Sequence, residues 1–122
     1  MLSNLDLAAV NSFLITARKE IDKNNAYFVY YRNVKSGNKV VNARQALLDI
    51  GIIKISEIWN HIKELQPSDC FRISRDRDFS RDFNAEIYEF KKIINRKNVY
   101  IKLTINDKGL LCISFHIDNG GN

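Results

Sequence analysis

Between Val99 and Ile117 apolar and polar residues alternate on both sides of Asn106-Asp107-Lys108-Gly109. A period of two that holds on both flanks of a turn signal predicts a β-hairpin with one buried and one open face. One face carries Val99, Ile101, Leu103 and Ile105, then Leu111, Ile113, Phe115 and Ile117. The other carries Tyr100, Lys102 and Thr104, then Cys112, Ser114 and His116. A dry face of this size demands a layer packed against it. A phenol, an ammonium and an imidazole on the opposite face suit phosphodiester chemistry or anion binding, which makes RNA the first partner to consider.

The upstream sequence supplies that layer. Leu7, Val10, Leu14, Ala17 and Ile21 recur at steps of three and four, predicting a helix over Asn4 to Lys23 with Ser3 or Asn4 as its cap. Ala26 to Asn33 is aromatic and β-branched and reads as a strand. A turn at Ser36-Gly37-Asn38 returns Lys39 to Val41 as a short partner. Asn42 caps a short helix over Ala43 to Asp49 that Gly51 terminates. Ile55, Ile58, Trp59, Ile62 and Leu65 form a further amphipathic stripe, which ends before Pro67. Strands follow over Cys70 to Ser74 and Ala85 to Ile94, with a polar loop from Arg75 to Asn84 between them and a turn at Asn95 to Asn98. The order predicts an α+β fold, N-terminal helices packed on one face of a mainly antiparallel twisted sheet. One domain is expected: an N-terminal helix and strand or hairpin over 1–41, a core over 42–118 and a frayed tail over 119–122.

Charge and cysteine usage narrow the partners. Among 122 residues the formal net charge is +5, which favours nucleic acid or an acidic protein. Cys70 and Cys112 fall on strands; they can pair only if those strands lie side by side, and otherwise read as reduced, buried and inert, as in a cytoplasmic protein. No Cys/His spacing resembles a zinc site, and His61 and His116 are the only histidines, so neither metal nor cofactor is expected. No phosphate-loop or dinucleotide motif is present, and no stretch approaches the roughly 20 apolar residues of a membrane span.

Three segments together resemble the MqsR toxins. Leu65-Gln-Pro-Ser-Asp-Cys-Phe-Arg72 is similar to that family's L-[ST]-x-S-D-F-Y-K-S. Val99-Tyr-Ile-Lys-Leu-Thr104 with Ile113-Ser-Phe-His116 looks like its closing V/L-Y-[IL]-K-L and V-S-F-K. Ala43-Arg-Gln-Ala-Leu-Leu-Asp49 with Gly51 resembles its x-R-x-A-L-x-x-A-x-x-L-G helix. The likeness covers Asn42 to Ile117. It implies a RelE-like α+β fold and a metal-independent mRNA endoribonuclease, the toxin of a type II toxin–antitoxin module neutralised by a proteinaceous antitoxin. By position the family's catalytic Lys falls on Arg72, its Tyr on Tyr100 and its last Lys on His116. Its catalytic Gln falls on Ala85.

Metal-free RNA cleavage uses the ribose 2′-OH as nucleophile, and the expected set can serve it. His116 titrates near neutral pH and can act as acid or base. Arg72 can clamp the phosphate and stabilise the phosphorane. Tyr100 can position the 2′-OH or donate to a phosphate oxygen. Lys102 shares the face of Tyr100 and, with Arg75 and Arg77, is assigned to binding the RNA backbone. The structural alternative for Arg72 is an ion pair with Asp76 or Glu86. The alternative for the whole chain is a non-catalytic interaction protein on the same scaffold, binding RNA or a host protein, with Tyr27, Phe28, Tyr30 and Tyr31 as an interface.

Overall fold

The computed structural model describes residues 6–74 and 86–118. Among these residues three helices cover one face of a five-stranded sheet, and a separate two-stranded hairpin stands at its edge. The first helix, α1 (Leu7–Asp22), starts at the first residue of its apolar stripe rather than at the expected Asn4. Its cap is Asp6, not Ser3 or Asn4: the carboxylate accepts from the N–H groups of Ala8 and Ala9 at 3.0 and 3.2 Å. An aspartate directly ahead of the apolar stripe satisfies the free amides of the first turn as well as serine does. The second helix, α2 (Ala43–Ile50), follows expectation. Asn42 accepts from the Gln45 N–H at 2.7 Å, and Gly51 closes it in the left-handed region at φ +96°. The third, α3 (Glu57–Lys63), ends ahead of a single 3-10 turn at Pro67–Asp69.

The main sheet has the strand order β1-β7-β6-β5-β4, with β1 (Ala26–Phe28) parallel to β7 (Gly109–Ile117) and the other pairs antiparallel. The expected strand over Ala26 to Asn33 is broken. Its ladder with β7 ends at Phe28↔Cys112, because the next residue of β7, Ile113, is an unpaired bulge. Val29 still donates to the Cys112 carbonyl, and the chain then leaves the sheet through the exposed Tyr30 and Tyr31. It re-forms as β2 (Asn33–Ser36) and β3 (Lys39–Asn42), an antiparallel arm tied back to β7 by a Gly37 N–H donated to the Ile117 carbonyl. The strand β5 (Ile87–Ile94) meets β6 (Lys97–Asn106) across Asn95-Arg96, both at positive φ. That two-residue turn matches the twist of the strands it joins, so β6 begins two residues before Val99.

The same bulge corrects the reading of the hairpin faces. From Val99 to Lys102 the partners run Ile117, His116, Phe115 and Ser114, as alternation predicts. Past Ile113 the parity inverts, so Cys112 faces Leu103 and Leu110 faces Ile105. Cys112 therefore belongs to the apolar core, and Leu111 shares the open face with Thr104. Both cysteines are buried thiols on non-adjacent strands. The core joins Val10, Phe13 and Leu14 of α1, Leu47 and Ile50 of α2, and Ile58 and Ile62 of α3 to Phe90, Val99, Ile101, Leu103 and Phe115 of the sheet. Among the described residues no helix is long and apolar enough to cross a membrane.

Candidate functional site

On the face turned from the helices, strand register lines up two rows of polar side chains. One row runs Arg72, Glu89, Lys102 and Ser114 across β4 (Cys70–Ser74), β5, β6 and β7. The next runs Lys91, Tyr100 and His116 across β5, β6 and β7. Directly opposed side chains on one face are neighbours, so register alone brings these groups together. The β2–β3 arm closes one side with Arg32, Asn33, Val34 and Lys35, leaving a cleft of about 470 Å³. Arg32, Lys35, Arg72, Lys91 and Lys102 make its walls basic, and Asp118 adds one carboxylate, 3.3 Å from Lys91 Nζ. A second bulge, at Phe71 between the paired Cys70 and Arg72, brings an aromatic ring to the same cleft.

Beneath the cleft lies Glu89, 2% exposed. Arg72 grips it through two bonds, Nε to Oε2 at 2.9 Å and Nη2 to Oε1 at 2.6 Å. The Ser74 hydroxyl donates to Oε2 and the Tyr100 hydroxyl to Oε1, each at 2.5 Å. Four donors thus occupy both carboxylate oxygens. Burial opposes ionisation of Glu89, but the bonds from Arg72, Ser74 and Tyr100, with the Arg72 charge, outweigh it and hold the carboxyl at about 2. The same contact raises the Arg72 guanidinium. Burial, then the bond to Glu89 and its charge, push Tyr100 up, so the phenol keeps its proton at neutral pH. Arg72 is not paired with Glu86; Asp76 lies outside the described residues.

His116 is 7% exposed rather than the solvated end of a strand. Its ring lies 5.2 Å from that of Tyr100, and its Nδ1 is 2.8 Å from the Ile117 carbonyl. A carbonyl can only accept, which assigns the proton to Nδ1 and leaves a lone pair on Nε2. Burial lowers the pKa of His116 more than the Ile117 carbonyl and Asp118 raise it, with Arg32 and Lys102 adding to the drop. The ring is therefore neutral at neutral pH.

Of the residues expected from sequence, Arg72, Tyr100, Lys102 and His116 line one cleft. Arg75, Arg77 and Ala85 lie outside the described residues. Sequence reading missed Glu89, Ser74, Phe71, Lys91, Arg32 and Lys35. Glu89 had a usable signal: it sits between Tyr88 and Phe90 on a strand, so period two places it on the open face with Arg72 and Lys102. Nothing local marks the arm residues, whose position depends on where β1 leaves the sheet. Among the described residues no three His, Cys, Asp or Glu side chains group to hold a metal ion. No protein family, curated protein or solved structure matches the chain.

Proposed function

We propose that this chain is a divergent member of the MqsR toxins, with a RelE-like fold, and that it cleaves mRNA without metal through the ribose 2′-OH. The observation that carries the reading is the convergence of a neutral imidazole, an anchored guanidinium and four further cations in one cleft. His116 takes the 2′-OH proton through Nε2, the lone pair its Ile117 bond leaves free; the 2′-oxygen then bonds to phosphorus, the P–O5′ bond breaks, and water protonates the leaving 5′-oxygen. Arg72, locked by Glu89, presents its remaining Nη1 hydrogens to the phosphorane without reorganising during the reaction. Tyr100 stays protonated and holds Glu89 against Arg72, a positioning role. Lys102, Lys91 and the arm residues bind flanking phosphates. A cytoplasmic protein with a proteinaceous antitoxin as partner completes the reading.

The second reading is RNA or protein binding without cleavage. It is favoured by Glu89, which neutralises the charge of Arg72, and by Ala85 in place of the family's Gln. Incubation with a long RNA in EDTA separates the two. Ends bearing 2′,3′-cyclic phosphate, lost in His116→Ala, support cleavage. Intact RNA that nevertheless co-migrates with the protein supports binding alone.

A further inference from the structure

Phe71 is out of place among charges. It occupies the β4 bulge, is half-buried and lines a cleft whose other walls are mostly cationic or hydrogen-bonding. The bulge lets Phe71 share the cleft face with its neighbour Arg72, where strict alternation would set the two on opposite faces. Its ring lies 6.0 Å from that of Tyr100. The Lys91 ammonium stands 4.7 Å from the ring centroid and the Arg72 guanidinium carbon 5.4 Å. A ring approached by two cations presents a π-face just where phosphates are drawn in.

We infer that Phe71 is a base-stacking platform, so that the cleft selects single-stranded nucleic acid with an unstacked base beside the bound phosphate. The inference rests on the nucleic-acid reading of the site and adds a specificity-determining residue to it. In the free protein Lys91 covers the ring. A base laid on Phe71 displaces that ammonium, which then meets the phosphate of the same nucleotide. Duplexes, whose bases stack on one another, cannot make the exchange. The backbone contacts set affinity through charge, and Phe71 makes that affinity depend on a base being present.

The test compares two uncleavable 2′-fluoro RNA strands of equal length and charge, one with bases and one abasic, by fluorescence anisotropy. The unaltered protein should bind the base-bearing strand about tenfold more tightly or better, the scale of one base–aromatic contact. Phe71→Leu should erase most of that ratio while leaving affinity for the abasic strand unchanged, and Phe71→Trp should restore it. An unchanged ratio in Phe71→Leu, or equal weakening of both strands, overturns the assignment while the nucleic-acid reading stands. Failure of the unaltered protein to bind either strand overturns both.

Discussion

Replacing Glu89 by Gln tests the hub under the cleft. The substitution keeps shape and one acceptor but removes the charge that Arg72, Ser74 and Tyr100 converge on. The folded protein holds this carboxyl at about 2, against an ordinary 4.5. At about 1.4 kcal/mol per pH unit, that gap contributes on the order of 3 kcal/mol to folding. The sign follows from the lowered value: the contribution is fully present above 4.5 and is lost as pH falls from there towards 2. The Arg72 side chain is 59% exposed, so water takes up part of its charge when the partner is lost. At pH 7 Glu89→Gln should therefore cost about 2–3 kcal/mol, short of the cost of breaking a fully buried pair. Urea unfolding of both proteins between pH 7 and pH 2.5 measures the difference directly. The stability gap should close by most of that amount between pH 4.5 and 2.5. A gap that holds constant with pH would refute the anchored-carboxylate account.

Other expectations follow from the same geometry. Because burial lowers His116, the acid limb of the proposed RNA cleavage should have its midpoint below the ordinary 6.5; a midpoint at or above 6.5 in a pH–rate profile would contradict a buried neutral base. Arg32→Ala combined with Lys35→Ala should leave the fold intact by circular dichroism. It should also flatten the dependence of log K for single-stranded RNA on log salt by up to about 1.4, from about 0.7 per phosphate contact. An added Cβ at Gly109, at φ +126°, would lie 2.3 Å from the Asn25 carbonyl oxygen. Gly109→Ala should thus cost about 2 kcal/mol or more in urea unfolding and loosen β1 from β7 in hydrogen exchange. Asp6→Ala should cost about 1 kcal/mol in the same unfolding assay through the lost α1 cap.

Local signals in the sequence carried much of this architecture. Asn42 and Gly51 bracket α2 because a cap and a left-handed stop act within one turn of the helix they bound. The terminal hairpin and its polar row of Tyr100, Lys102 and His116 follow from period two up to the bulge. What alternation cannot reveal is a residue that drops out of register, since a bulge is a property of two strands at once. Ile113 and Phe71 are both such residues. The first reverses the faces of Leu111 and Cys112 and releases the β2–β3 arm, and the second delivers a ring to the cleft. Period two places Glu89 on the open face, but its burial was hidden for a related reason. A lone glutamate on a strand reads as solvated, and its burial is legible only once β4 and β6 place Arg72 and Tyr100 on either side.

The proposed cleavage requires a 2′-hydroxyl that attacks its own phosphate beside His116. The most direct measurement is mass spectrometry of the products from two oligonucleotides in EDTA, identical except for a single 2′-deoxy sugar at the cleaved position. The all-ribose strand should yield a 2′,3′-cyclic phosphate, and the substituted strand should remain whole at that bond. Cleavage of the substituted strand at the same bond, or product ends that never carry the cyclic phosphate, would contradict the account.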